Sequence, residues 1–366
     1  MLTSCVSVPT SPISGGLSFH QINLIVSGSC AAFSTIMLFT LMFRHATNLS
    51  KPQEQANIMR ICLFIPIYAV GSFIEVCVPV SYVYLHSWLG VAQAFALANF
   101  FILLCRFVSL ETNTRRSVFL APMKRLQEKT GSTTAKAVSA YRKTWILVFQ
   151  YPLIAILIAI FADISEGADR YCYGSHKAYF ASLWLEIIEK ASMILAVIAV
   201  LRTYAKLKVE LRPHRALQKL LAFKLLIGLQ FIQQIIYMVL TRASPSPLEP
   251  SDTLSYTDLE IGIPTLLVSC ELVVFSVFFH FAYSVTPYQL SSYSHKPLSD
   301  FTNSEQQSGG DECYHGGPFG TRAWISMLNP AELIAAVLFG FKMQKEVDIS
   351  RRGIYQAMPL NTHSTS

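Results

Sequence analysis

Apolar residues along this chain fall into long blocks, and polar residues gather in the segments between them. Seven blocks approach the ~20 residues that a helix needs to cross the hydrocarbon core of a bilayer. They cover residues 22–43, 58–80, 88–108, 144–162, 178–201, 221–241 and 261–283. Each block is predicted to be a helix, because backbone polar groups in lipid have no water partners. The pattern therefore predicts an all-α integral membrane domain of seven transmembrane helices over residues 22–288, after a short outer tail of residues 1–21.

Composition and charge placement agree with a membrane protein. Of 366 residues, 52% are hydrophobic and only 14% are charged, whereas soluble domains carry about 25% charged residues. The net charge of +7 comes from basic residues concentrated between the third and fourth blocks and between the fifth and sixth. This placement favours a topology signal over a nucleic-acid-binding surface, so no nucleic acid partner is expected. The positive-inside rule predicts an outer or luminal N-terminus and a cytosolic C-terminus.

The polar tail after the last block is predicted to have three parts. Residues 289–323 and 347–366 are predicted to be disordered because they are rich in small and polar residues. Residues 324–346 are predicted to form an amphipathic helix, since Asn329 and Pro330 resemble a helix start and apolar residues follow at helical spacing. The apolar face carries Leu333, Val337 and Phe341. Packing on the protein, contact with the membrane surface and binding of a cytosolic protein all remain open for this face.

Ionisable and amide side chains inside the apolar blocks are the candidate functional residues. A charged side chain at the centre of a membrane helix costs about 2.5–3.5 kcal/mol on insertion scales. Four acids exceed what Lys190 alone could neutralise, which favours a polar path over purely structural pairing. Structural pairing remains the alternative, because Glu186 and Lys190 have the spacing of a helical ion pair. The candidate substrate-binding residues are Glu75, Glu186, Glu189, Gln230, Gln233 and Glu271.

Several function classes find no support in the residues. No phosphate-binding loop of the form GxxxxGK[ST] occurs, so ATP-driven pumping by this chain is not expected. The cysteines lack metal-ligand spacing, and no His cluster or Ser/His/Asp grouping stands out. No catalytic residue, metal, cofactor or enzyme activity is therefore expected. Cys105-Arg106-Phe107 and Thr286-Pro287-Tyr288 are poor matches to the motifs of rhodopsin-like receptors.

Short signatures give the chain a family resemblance. They include His45, Asn48, Pro52, Glu54, Gln55, Arg60, Pro66, Tyr68, Lys224 and Ala282. In this order they resemble the family of transmembrane protein 184 and the organic solute transporter alpha subunit, in a divergent, fungal-type form. Gln93 and Ile232 depart from the family pattern. The resemblance implies seven helices with an outer N-terminus and, in the organic solute transporter branch, facilitated movement of sterol-derived or bile-acid-like solutes.

Two functional hypotheses follow. The first is a transporter of amphipathic organic solutes, facilitated or proton-linked, with a polar path of intramembrane carboxylates and amides. The alternative is an endomembrane or vacuolar scaffold that recruits cytosolic partners or anionic lipids through its basic loops and tail helix. The expected partners are membrane lipids and an amphipathic small molecule, and a homo-oligomer is left open. Because other members are associated with vacuolar or endosomal membranes, the resemblance favours an endomembrane over the plasma membrane.

Overall fold

The computed structural model of the chain is built from helices. It describes residues 12, 16–109, 114–168, 170, 181–242, 251–255, 257–289 and 314–343, and some side chains within residues 223–242 lie outside the description. The helices are α1 (Phe19–Thr47), α2 (Pro52–Cys77), α3 (Tyr82–Val108), α4 (Arg115–Thr130), α5 (Thr134–Gly167), α6 (Ala181–Lys206), α7 (Lys208–Leu211), α8 (Ala216–Arg242), α9 (Ile263–Ala282), α10 (Thr321–Leu328) and α11, described over residues 331–343. A π-helical turn, Asp258–Gly262, precedes α9.

Local sequence determines where several helices begin and end. α1 begins with a capping box, in which Gln21 N–H donates to Ser18 Oγ at 3.4 Å and Ser18 N–H donates to Gln21 Oε1 at 3.0 Å. Pro52 occupies the first turn of α2, where its missing N–H costs no hydrogen bond. α4 ends at Gly131, whose φ of 58° lies in the left-handed region that glycine adopts most readily.

Each of the seven predicted apolar blocks overlaps a long helix, namely α1, α2, α3, α5, α6, α8 or α9. Among the described residues, six segments are long and apolar enough to cross a membrane: Phe19–Thr47, Pro52–Cys77, Pro79–Val108, Thr134–Gly167, Asp258–Tyr288 and Pro318–Met343. α6 and α8 are not among them, whereas the tail segment is. The all-helical class is confirmed, and the number of spans and their orientation stay predictions.

The tail differs from its prediction in two ways. Helical structure begins at Pro318 rather than at residue 324, and the Tyr314 hydroxyl donates to the Ala46 carbonyl at 3.3 Å. The helix predicted over 324–346 is divided into α10 and α11, with the break at Asn329 and Pro330. Proline lacks the N–H that would continue the hydrogen bonds of α10, so the first helix ends there. The parts predicted to be disordered over 290–313 and 347–366 lie outside the described residues, as do residues 344–346 at the end of the predicted helix.

The chain divides into two compact units. The first comprises Met1–Ala92 and Gln218–Asn329, and the second comprises Gln93–Leu217 and Pro330–Ser366. In the first unit, α1 packs against α2 and α9, and α10 packs against α2. In the second unit, α5 packs against α4 and α6. The buried Trp145 ring is central to the second unit and contacts the rings of Phe101, Phe119, Tyr141, Phe149 and Phe339.

Long helices also present large apolar side chains on their surfaces. Ile36 on α1, Ile164 on α5 and Phe281 at the end of α9 are among the most exposed of them. Extended apolar surface of this kind is unfavourable in water and marks contact with lipid or another protein. The surface therefore agrees with the apolar blocks of the sequence.

Candidate functional site

Two of the predicted site residues are in direct contact in the first unit. Gln233 on α8 donates a hydrogen bond from Nε2 to Oε1 of Glu271, near the middle of α9. The second carboxylate oxygen, Oε2, is buried and has no hydrogen-bond partner among the described residues. Glu271 as a whole is only partly buried. Because a carboxyl group has acceptor capacity on both oxygens, Glu271 can contact a ligand or hold a proton while Gln233 keeps it in position.

The helix that carries Glu271 is fixed to α1 by polar contacts on both sides of this residue. At one end, Asn23 Nδ2 donates to the Gly262 carbonyl at 2.9 Å. Towards the other end, His280 Nε2 donates to the Met37 carbonyl at 2.8 Å. Each contact joins a buried or partly buried side chain to a backbone oxygen. Together they fix the rotation of α9 about its own axis and its position along α1. Glu271 is thereby held at a defined position on α9.

Glu75 lies near the end of α2 and is 1% exposed. Its Oε1 has no hydrogen-bond partner among the described residues, but Nδ1 of His86 lies 3.7 Å away, within ion-pair distance. Sequence reasoning did not single out His86, because one histidine near the start of an apolar helix forms no recognisable pattern. The described charge partner of Glu75 is thus a histidine rather than another predicted acid.

The remaining predicted site residues lie on α6 and α8. Glu186 is exposed and Glu189 is partly exposed, and both lie on α6 in the second unit. The Glu186–Lys190 ion pair is absent from the described contacts, although the spacing allows it. The side chains of Gln230 and Lys224 lie outside the description, so their placement remains a prediction.

Several residues of the family signature fix the turn between α1 and α2. The buried Gln55 side chain is central to this turn. Its Nε2 donates to the Asn48 carbonyl at 2.8 Å, and its Oε1 accepts from the backbone N–H groups of Ser50 and Lys51, each at 2.9 Å. One amide side chain therefore satisfies three backbone groups that the turn leaves without helical partners. This arrangement assigns Gln55 a structural role.

The same turn is tied to the end of α9. Nε2 of the fully buried His45 donates to the Tyr283 carbonyl at 2.9 Å. The Tyr288 hydroxyl lies 3.3 Å from Oε2 of Glu54, to which it donates. Of the other signature residues, Pro52 opens α2, Pro66 lies inside it, and Tyr68 and Ala282 are buried. These contacts and burial indicate that the residues maintain the fold of the first unit.

Arg60, also a signature residue, binds the end of α10. Its guanidinium donates to the carbonyls of Ser326, Met327 and Asn329 at 2.7, 2.9 and 2.9 Å. The last carbonyls of a helix have no intrahelical partners and form the negative end of its dipole. A single cation therefore satisfies three acceptors and holds α10 in the first unit.

α11 is held within the second unit by a buried ion pair and an indole hydrogen bond. Arg106 Nε donates to Glu332 Oε1 at 3.1 Å, and Trp145 Nε1 donates to the Ala336 carbonyl at 2.8 Å. Of the predicted partner-binding face, Leu333 is 8% exposed, Val337 is partly buried and Phe341 is 74% exposed. That face is therefore divided between the interior and the surface. Sequence reasoning missed these anchors, because an arginine and a glutamate so far apart in the chain show no spacing pattern.

Comparison with known proteins identifies the family. The model of the family described as organic solute transporter Ostalpha matches residues 23–288. The Transmembrane protein 184 homolog of Dictyostelium discoideum is 26% identical over 285 residues, which cover 76% of this chain and 56% of that protein. The chain thus matches little more than half the length of this relative, and no solved structure gives a significant match. The matched region extends from α1 to the residues just after α9, and the chain belongs to the organic solute transporter Ostalpha family of integral, multi-pass membrane proteins.

Proposed function

We propose that the chain moves amphipathic organic solutes of sterol-like or bile-acid-like shape across an endomembrane, by facilitated or proton-linked transport. The observation that carries this proposal is the Gln233–Glu271 contact, with its unpartnered carboxylate oxygen among the described residues. Intramembrane acids of this kind mark substrate paths and proton relays. Family membership supplies the broader class, a membrane solute transporter.

Glu271 suits a solute that combines a rigid apolar body with a polar group. An ionised Glu271 accepts a hydrogen bond from a solute hydroxyl, whereas a protonated Glu271 donates one to a solute carboxylate or sulfate. An ionised acid would repel an anionic solute in the low dielectric of the membrane. Transport of an anion past this residue therefore favours the protonated form, which is why proton linkage belongs to the proposal. Gln233 holds the carboxyl group in position in either form.

The proposed topology has seven spans, an outer or luminal N-terminus and a cytosolic C-terminus. Loop charge supports it, since α4 alone carries Arg115, Arg116, Lys124, Arg125 and Lys129. We assign the tail segment 318–343 to the membrane surface rather than to an eighth span. It is broken at Asn329 and Pro330, and α10 has only eight residues, far fewer than the ~20 needed to cross a bilayer.

The scaffold alternative has weaker support. It requires an apolar face on the tail helix that is free to bind a cytosolic partner, yet Leu333 is buried within the second unit. The contacts of Arg60 and Arg106 also hold the tail against the helices of their own units. A partner on the exposed part of α11 remains a prediction.

Solute flux in reconstituted vesicles tests the proposal. The full chain and its Glu271→Gln and Gln233→Ala variants are placed in liposomes, and uptake of a labelled bile acid and a sulfated steroid is measured. A hydrogen bond to a charged group contributes about 1.5–3 kcal/mol, so flux is expected to fall about 10-fold to 150-fold. Glu128→Gln makes the same chemical change on the exposed α4 and serves as the control. Unchanged flux in Glu271→Gln would contradict the proposed path.

A further inference from the structure

A second polar site lies where α2 ends and α3 begins. Glu75 belongs to the last turn of α2 and is 1% exposed, whereas the His86 side chain on α3 is 33% exposed. The Oε1 atom of Glu75 is buried, has no hydrogen bond among the described residues, and lies 3.7 Å from His86 Nδ1. The two groups thus form a pair with one buried member and one accessible member.

The surrounding helices hold this pair in a fixed geometry. One turn before Glu75, Gly71 allows α2 to approach α3, since a Cβ built there would lie 2.5 Å from Cδ2 of Leu89. The Tyr82 ring stacks on His86 with centroids 4.8 Å apart and an interplanar angle of 19°. The Tyr82 ring therefore covers one face of the His86 imidazole. The close approach of α2 and α3 at Gly71 restricts the position of the imidazole relative to the Glu75 carboxyl group.

The burial of Glu75 limits the charge states of the pair. An ionised carboxylate without partners is very unfavourable in a low dielectric. One proton shared by the pair removes this cost in two ways. If the proton is on Glu75, both groups are neutral, and if it is on His86, the carboxylate faces a positive imidazolium. Loss of that proton leaves an uncompensated buried negative charge. A proton that reaches the partly exposed His86 side chain can therefore be shared with the buried Glu75.

We propose that Glu75 and His86 form a proton-exchange site, in which His86 takes a proton from water and transfers it to Glu75. His86 Nδ1 and Glu75 Oε1 are 3.7 Å apart, beyond hydrogen-bond distance, so the transfer needs one bridging water or a side-chain rotation that closes the gap. In the transfer, the proton leaves Nδ1 of imidazolium and one proton arrives at Oε1 of the carboxylate, so imidazole becomes neutral as the acid forms. The inference rests on the proposed transport function only where it links this exchange to solute movement. The proton site itself is a property of the pair.

Other titratable groups on neighbouring elements must be separated from this pair in any test. Among the described residues, His86 is the only basic group within 4 Å of Glu75. Asp258 on the π-helical turn accepts hydrogen bonds from the Ser255 N–H and hydroxyl at 3.1 and 2.8 Å. The other titratable side chains on α1, on the end of α2, on the π-helical turn, on α9 and near the start of α3 are His20, Cys30, Arg44, His45, Cys77, Tyr82, Tyr84, Glu260, Cys270, Glu271 and His280. Glu271 is the most important control because it is the other intramembrane acid of the first unit.

Infrared difference spectroscopy of the full chain in detergent tests the proton site without any transport assay. Lowering the pH protonates many carboxylates, so the expected result is a difference between variants: Glu75→Gln lacks one component of the protonated-carboxyl band, whereas Glu75→Asp and Glu271→Gln retain that component. The aspartate variant keeps a carboxyl group and guards against loss of the band through misfolding. The same band in Glu75→Gln as in the unmodified chain would overturn the proposal.

Flux in liposomes tests the link to transport. In Glu75→Gln, solute uptake is expected to lose its response to a proton gradient. In His86→Gln, the increase in uptake caused by the proton gradient is expected to fall about 100-fold. This is the lower end of the rate enhancement that a positioned proton donor supplies. A gradient response that persists in both variants would overturn the link. If the unmodified chain transports none of the solutes, the transport proposal fails, and the infrared result still decides whether the pair exchanges a proton.

Discussion

Removal of either member of the buried Arg106–Glu332 pair is expected to destabilise the second unit strongly. The two side chains are only 5% and 9% exposed. Deleting one partner of a buried pair leaves the other buried charge without its ion-pair partner, at a cost of about 3–5 kcal/mol. Since 1 kcal/mol corresponds to roughly 2–4 °C in a domain of 150–250 residues, Arg106→Met and Glu332→Leu are each expected to lower Tm by about 6–20 °C.

Thermal unfolding of the purified full chain measures this effect, and two comparisons make it specific. The double variant Arg106→Met/Glu332→Leu removes both charges together and is expected to restore most of the lost stability, because apolar replacement of a buried pair is often neutral or stabilising. Arg125→Met breaks the exposed Arg125–Glu128 pair on α4 and is expected to cost less than about 1 kcal/mol. If the single Arg106 variant costs no more than Arg125→Met, or the double variant costs as much as both singles together, the desolvation argument is refuted.

Two further predictions concern the tail and an interhelical ion pair. Arg60→Ala removes the donor for three carbonyls of α10 and is expected to increase proteolysis within residues 314–328, whereas Arg60→Lys, which keeps the charge but lacks the planar fork, restores protection only in part. Partial desolvation raises the pKa of Glu210, but the hydrogen bond from Lys129 and its charge outweigh this, so the pKa lies below its ordinary value of 4.5. The contribution of this pair is complete above pH 4.5 and is lost as the pH falls through the lower folded-state pKa. The Tm difference between the chain and Glu210→Gln should therefore shrink on acidification, and a constant difference would contradict the assignment.

The sequence was informative about helices and less so about contacts between them. Long apolar blocks locate the helices because composition alone decides whether a segment can lie in lipid. The Gln233–Glu271 contact depends on how α8 and α9 are rotated about their axes, which no local pattern specifies. The break at Asn329 and Pro330 was readable as a helix start, but the short α10 before it was not. The spacing of Glu186 and Lys190 allowed an ion pair, yet spacing does not fix side-chain rotamers.

The anchoring of the tail has a consequence for how relatives should vary. The family match ends at residue 288, yet Arg60, Arg106 and Trp145 inside the matched region all donate to groups in residues 326–336 beyond it. In a relative without such a tail, these donors would lose the acceptors that the tail supplies, and the buried Arg106 would lose Glu332 as its ion-pair partner. The three positions are therefore expected to covary with the presence of the tail across the family. An alignment in which they persist equally in tailless members would show that they have another role there.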